Sequence, residues 1–221
     1  MGLSVIAAGT AAVLSGHPSR PQVDRARSAG VREVAGVHRE VPNDPWMPRP
    51  AGKPAGTTEH CGPWVHNGFQ SIQVNVDANG CNIVGDAANE PSIAIDPTNP
   101  NNIVIGWRQF DSVLSDFRQA GYGYSHDGGQ AWTFPGVLEP GVFGSDPVLG
   151  ADAEGNFYYY SLQPDRGPGD WACYLYQSFD AGVTWPHEVY AYGGDKAWMA
   201  IDRTLGTGRG WPAPQNLIQQ L

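Results

Sequence analysis

Charge is scarce in this sequence: only 16% of its 221 residues are Asp, Glu, Lys or Arg, and acidic residues outnumber basic ones by 22 to 13. The formal net charge of −9 repels a phosphate backbone, so nucleic acid is not an expected partner. Ordinary solubility accounts for the acidity. Cysteine is scarcer still. Cys61, Cys81 and Cys173 fit no zinc spacing, and neither a metal nor a cofactor is expected. Cys61 and Cys81 stand twenty residues apart in a Gly/Asn-rich stretch and are able to pair if the protein is exported. Three unrelated thiols is the other reading.

Also missing is any long stretch with apolar residues at i, i+3, i+4 and i+7, which excludes a helical bundle. No apolar run is long enough to span a bilayer, so no transmembrane segment is expected. The run Leu3–Leu14 is apolar and rich in small residues, with the length of a signal-peptide core, but no Lys or Arg precedes it. Either the start is misplaced or this is no signal; a clipped secretory signal over residues 1–16 is the preferred reading, and the expected location is secreted or cell-surface.

What the chain has in plenty is Gly (29), Pro (19) and aromatic residues (11%). Gly supplies positive φ and Pro pre-sets turn dihedrals, so this balance suits an all-β chain with many tight turns. Residues 17–68 show no sustained period, hold five closely spaced prolines from Pro42 to Pro54, and read as an extended or disordered leader, with a short ordered arm packing on the rest of the fold as the competing reading. From Phe69 the texture changes. Ser71–Val76 alternates strictly and stops at Asp77-Ala-Asn-Gly80, which predicts a strand and a turn.

Beyond this point the sequence repeats. Glu90-Pro-Ser-Ile-Ala-Ile-Asp96 returns as Asp146-Pro-Val-Leu-Gly-Ala-Asp152 and as Lys196-Ala-Trp-Met-Ala-Ile-Asp202. Each copy has a charged first residue, a short apolar strand and Asp at the seventh place. Between the copies, Ser125-His-Asp-Gly-Gly-Gln-Ala-Trp132 matches Ser178-Phe-Asp-Ala-Gly-Val-Thr-Trp185 at Ser, Asp, Gly and Trp. Two interleaved motifs on one period of about fifty residues define a tandem unit. Each unit reads as four strands: 91–96, 103–109, 121–125 and one from Trp132; then 147–152, 157–162, 173–178 and one from Trp185 towards Tyr192. Four short antiparallel strands per unit predict a β-propeller, here incomplete, with blades at about 89–140 and 145–194 and a third begun at 195. The partial propeller spans 69–204.

The second motif has a physical logic. Asp127 and Asp180 can accept hydrogen bonds from backbone N–H groups of the turn between the third and fourth strands. Gly129 and Gly182 permit positive φ there. Trp132 and Trp185 can pack across the turn. Nothing in this requires catalysis, and a metal or sugar bound at the Asp is the minor reading. His126 holds a variable place in the motif and is expected to face solvent.

Ser-x-Asp-x-Gly-x-x-Trp in tandem resembles the Asp-box, or bacterial neuraminidase repeat, of the sialidase-like β-propellers. The resemblance covers about Asn89 to Thr204. It implies that the Asp-box turns lie on the face away from the active site. It also implies three arginines on the substrate carboxylate, a Tyr/Glu nucleophile pair and an Asp acid/base, since sialidases use Tyr as nucleophile. The first arginine of that family sits in a Phe/Tyr-Arg-Ile-Pro motif, which does not occur here.

Blade geometry puts a ligand site at the opposite mouth, ringed by Glu90, Arg108, Asp111, Arg118, Asp146, Asp165, Arg166, Asp195 and Lys196. Such a mixed ring suits a glycan or another polar ligand; solvated loop charges are the bland alternative. Arg108, between Trp107 and Gln109, is the first candidate for mutation. Tyr158-Tyr159-Tyr160 alternates across a strand, so at least one of the three is packing rather than a nucleophile.

Propellers close with four to eight blades, and six blades of this spacing need about 318 residues. Two blades and one strand do not close a ring. The pattern fails after Thr204, and Gln215–Leu221 resembles a short helical end, so 205–221 reads as an irregular tail of a truncated or frame-shifted reading frame. The expectation is a fragment of an exported, glycan-directed propeller protein that is not catalytically competent alone. The alternatives are an exo-acting glycoside hydrolase of sialidase type as the parent, a non-catalytic structural or protein-binding module, and ring closure by several chains.

Overall fold

A computed structural model describes residues 58–113, 115–166, 171–191 and 198–204, together with the backbone of 218–219. All of them lie in the compact unit Glu40–Leu221. The signal-like segment, most of the leader, Asp195 and Lys196 fall outside the described residues.

The described chain is all-β, with two four-stranded antiparallel sheets. Sheet I runs β3 (Ala87–Ile95), β4 (Ile103–Phe110), β5 (Gln119–Ser125) and β6 (Thr133–Val137); sheet II runs β7 (Ser145–Ala151), β8 (Phe157–Pro164), β9 (Trp171–Ser178) and β10 (His187–Tyr190). Both are meanders in chain order. Ahead of them β1 (Trp64–His66) and β2 (Phe69–Ser71) form a hairpin, and after them β11 (Ala200–Ile201) pairs antiparallel with β12 (Ile218–Gln219). The hairpin turns at Asn67-Gly68, both with positive φ, as a two-residue loop between twisted strands requires.

Three expectations need correction. The strand predicted over Ser71–Val76 ends at Ser71; beyond it only Val76 pairs, with Asn82. Alternation there reflects Val74 tucking against Gly123 rather than a ladder. The leader does not run unstructured to residue 68, because the Cys61–Cys81 disulfide and the β1–β2 hairpin order its end. Ile218–Gln219 is extended, not helical, because it hydrogen-bonds to β11.

β7 packs against β3, β4 and β5, and the core lies between the sheets. Ala94, Val104 and Tyr122 of sheet I meet Leu149, Phe157, Tyr159 and Tyr174 of sheet II. Burial of each large apolar side chain contributes roughly 1.5–3 kcal/mol relative to exposure. Tyr159 reaches furthest across. A Cβ on Gly106 would come within 2.4 Å of the Tyr159 ring, so the bare backbone of β4 makes room for it. Its hydroxyl donates to the Gly121 carbonyl at 3.1 Å, and burial pushes its pKa well above the usual tyrosine range. The opposite side of β8 is buried as well: Tyr158, Tyr160 and Leu162 cluster with Cys173, Leu175, Met199 and Ile201. All three neighbouring tyrosines are therefore packing.

Each strand-ending Asp of the first motif closes a turn. Asp96 accepts from the N–H and hydroxyl of Thr98 at 2.7 Å and from the Asn102 amide at 3.1 Å. Asp152 repeats this with the N–H of Glu154 and of Asn156 and with the Asn156 amide at 2.8 Å. Asp202 begins the same turn through the Thr204 N–H. The turn after β3 also touches the turn after β5, where the Gly128 N–H donates to the Asn101 carbonyl at 3.0 Å. These two kinds of turn therefore share one end of the sheets, and the first residues of β3 and β7 point to the other.

Candidate functional site

Ser125 and Asp127 build the first Ser-x-Asp turn. The Ser125 hydroxyl donates to Asp127 Oδ1 at 2.7 Å and accepts from the Gly129 N–H; Asp127 Oδ1 also accepts from the N–H groups of Gln130 and Ala131. The Ala131 N–H, with Ser125 and Gln130 behind it, holds the Asp127 carboxyl below the usual range. In the second turn Ser178, Asp180 and the Gly182 N–H repeat the pattern, and Thr184 adds its N–H and hydroxyl. Burial pulls the Asp180 pKa up, but the bonds from Thr184 and Ser178 outweigh it and the net shift is downward. Both carboxylates are occupied by their own turns, as the sequence predicts. His126 is exposed as expected, with its ring against Tyr124 and in hydrogen-bond reach of the Ala181 carbonyl.

At the opposite end the repeat-initial residues converge. Glu90 and Asp146 are both non-glycine residues in the left-handed region, with φ of 50° and 46°. Each sits at a break in its ladder, between Asn89 and Ser92 and between Ser145 and Val148. A Pro follows each, so neither of those following positions can donate to a ladder bond. Left-handed backbone costs a non-glycine residue roughly 1–2 kcal/mol and is retained mainly where a site needs it. The consequence is geometric. Glu90, Pro91 and Ser92 face Asp146, Pro147 and Val148 across a cavity of about 410 Å³ that Trp198 also lines. Trp198 holds the same place in the third copy of the motif as Ser92 and Val148 do in theirs. Three repeats thus present equivalent positions to one space.

Of the seven ring candidates among the described residues, Glu90 and Asp146 line this cavity. Arg108 joins it indirectly, pairing with Glu90 at 2.8 Å and donating to Asn89 Oδ1. Arg118 is not a solvent-facing ring residue. It is buried, donates to Ser145 Oγ and the Asp116 carbonyl, and lies over the Phe143 ring at 4.7 Å. Through Ser145, whose hydroxyl donates to Asp146 Oδ1 at 2.8 Å, it supports the cavity from behind. Asp111 lies elsewhere, in a cavity of about 510 Å³ with Gln109, Gln119 and Phe134. Arg166 also stands apart, bridging Glu139 at 3.0 Å and Glu188 at 2.8 Å over the face of Tyr174. Asp165 is half-buried beside it.

Arg166 and Glu139 bring a Tyr/Glu pair into view, because the Tyr176 hydroxyl donates to Glu139 at 2.5 Å and accepts from Gln163 at 2.6 Å. Burial first, then Glu139, pushes the Tyr176 pKa far up. A hydroxyl so held keeps its proton, the reverse of what a nucleophile needs.

The disulfide joins Cys61 to Cys81, and Cys173 is a buried thiol outside any disulfide. Glu59 lies near both bridged sulfurs, but sulfurs bonded to each other are not thiolate ligands. Among the described residues no helix is long and apolar enough to cross a membrane.

Known proteins add little. No family model and no curated protein matches the chain. A solved structure, a protein of unknown function from Dyadobacter fermentans DSM 18053, is similar at a TM-score of 0.36 and 18% identity, over 48% of this chain and 36% of that one. The chain spans about a third of that protein's length.

Sequence reasoning missed Trp198 as a site residue, although its place inside the third motif copy was the available signal. It also missed Asn102 and Asn156, whose shared position just ahead of β4 and β8 marks them as turn partners of Asp96 and Asp152.

Proposed function

We propose that sheets I and II are consecutive blades of a sialidase-like β-propeller with Asp-box turns, that the protein is exported, and that it binds a glycan at the propeller mouth without hydrolysing it. One observation carries this reading: Glu90 and Asp146, repeat-equivalent and both on strained backbone, line one cavity with Trp198. An indole face stacks on the apolar face of a sugar ring, and carboxylates accept hydrogen bonds from its hydroxyls. With two carboxylates against the one guanidinium of Arg108, the mouth carries a net negative charge that disfavours an acidic sugar, so neutral or amino sugars are the favoured class. The Cys61–Cys81 bridge supports export, because disulfides persist in oxidising compartments. Against hydrolysis stand the protonated, doubly bonded Tyr176 and the use of Arg118 and Arg166 in packing and bridges.

The test is calorimetric titration of the chain with neutral, amino and sialylated oligosaccharides. Neutral or amino sugars bind and sialosides do not. Asp146→Asn combined with Glu90→Gln weakens binding by about tenfold, the loss of one charge-assisted hydrogen bond or more. Turnover of a fluorogenic sialoside overturns the non-catalytic reading, and binding indifferent to the double substitution overturns the mouth as its site.

A further inference from the structure

The face that carries the first Ser-x-Asp turn holds a second cavity, of about 370 Å³, between that turn and the disulfide-bridged loop. Its polar lining holds no Asp, Glu, Lys or Arg: it is made of His60, Gln73, Asn79, Asn82 and Gln130, with Trp132 as the aromatic wall. The loop side is rigidly built. Cys61–Cys81 closes it, the His60 N–H donates to Asn82 Oδ1 at 2.6 Å, and the Asn82 N–H returns to the His60 carbonyl at 2.8 Å. The turn side is fixed by Asp127, and Trp132 Nε1 donates to the Gly129 carbonyl at 3.1 Å. That bond uses the indole edge and leaves the ring as a wall.

Several acceptors at this cavity remain open. Gln73 and Gln130 spend their amide N–H groups on the carbonyls of Asn75 and Asp127, and their Oε1 atoms accept nothing among the described residues. His60 Nε2 is buried with no hydrogen-bond partner among the described residues, while the ring stacks on Trp64 at 3.6 Å. Trp132 also lines a neighbouring cavity of about 500 Å³, which shares Val76, Ala78 and Gly80 with the first. The two cavities adjoin along the indole, with room for more than one sugar unit.

We infer that this cavity is a second ligand site, for an uncharged oligosaccharide stacked on Trp132 and hydrogen-bonded to Gln73 and Gln130. Neutral amides match hydroxyl groups, and a charged ligand meets no Asp, Glu, Lys or Arg in the first cavity. Both cavities fall in the range of about 300–1,000 Å³ common for small-molecule sites.

The experiment titrates the full chain with cellotetraose, maltotetraose, chitotetraose and a tetragalacturonate, followed by tryptophan fluorescence and calorimetry. At least one neutral tetrasaccharide binds saturably, with Kd on the order of 1 mM or tighter. Trp132→Ala and the exposed Gln130→Ala each weaken it by about tenfold, and Val113→Ala, at an exposed position that lines neither cavity, leaves this binding unchanged. The inference fails if no neutral tetrasaccharide binds, if tetragalacturonate binds tighter than all of them, or if binding survives both Trp132→Ala and Gln130→Ala. Binding abolished by Glu90→Gln alone also overturns it, and assigns the ligand to the mouth instead.

Discussion

Ser125–Trp132 and Ser178–Trp185 carry the same four pattern residues and close the same hydrogen-bonded turn, yet they meet different surroundings. Gly129 is open: a Cβ there would rest 3.5 Å from its own Trp132. Gly182 is wedged against sheet I, where a Cβ would fall 2.4 Å from Val104 Cγ2. Trp132 bonds back to its own turn. Trp185 instead sets its ring edge-on to Tyr122 and Tyr159, 5.7 and 6.1 Å away, and its buried Nε1 has no hydrogen-bond partner among the described residues. The first turn is a self-contained clasp beside a cavity. The second is a rivet between sheets. A local pattern dictates a turn's shape, and the neighbouring sheet decides how much stability rides on it.

The sharpest way to break this comparison is to add one methyl group to each glycine. Both have φ near +87°, +86° for Gly129 and +88° for Gly182, so Ala costs each about 1–2 kcal/mol in backbone strain. Only Gly182→Ala also drives a methyl into the fully buried Val104, for a total of about 4 kcal/mol. Urea unfolding of both variants measures the gap, and equal losses would refute the wedge. Truncating the indoles comes next. Trp185→Ala removes a ring lodged on Tyr122 and Tyr159 and costs about 3 kcal/mol, while Trp132→Ala, on the outer turn, costs about 1 kcal/mol. Thermal melts should rank them in that order.

The smallest effect is shared and tests what the turns have in common. Asp127 and Asp180 both have lowered pKa values, from the Ala131 N–H in the first and from Thr184 and Ser178 against opposing burial in the second. A carboxyl whose folded pKa is depressed binds its proton more readily when unfolded. Its stabilisation is complete above the unfolded value and is lost as pH falls through the folded one. Asp127→Asn and Asp180→Asn should therefore destabilise at neutral pH and converge on the wild type below the ordinary aspartate range. Denaturation midpoints recorded across acidic pH check this; a gap that widens on acidification would contradict the assignment.

Much of the framework was legible from residues alone. The period of the two motifs located all eight strands of the two sheets to within a few residues, because short alternating segments between Gly-, Pro- and Asp-rich turns leave the backbone few other choices. The charged ring was legible only in part. Glu90 and Asp146 declared themselves as first residues of a repeated motif. Arg118 and Arg166 looked equivalent to them in sequence, but long side chains fold back, one beneath Phe143's ring and the other between Glu139 and Glu188. Ser71–Val76 misled because alternation reports which side chains turn inward and not whether a ladder partner is present.

The sequence by itself determined the repeat, the strand order within each sheet and the hydrogen-bonded shape of the two Ser-x-Asp turns, since these depend on residues within a few positions of one another. Only the tertiary structure decided that Glu90, Asp146 and Trp198 share a cavity, that Trp185 joins the sheets while Trp132 does not, and that the disulfide loop meets the first turn. Those contacts bring together residues far apart in the chain. Their geometry follows from how whole sheets pack, which no local pattern encodes.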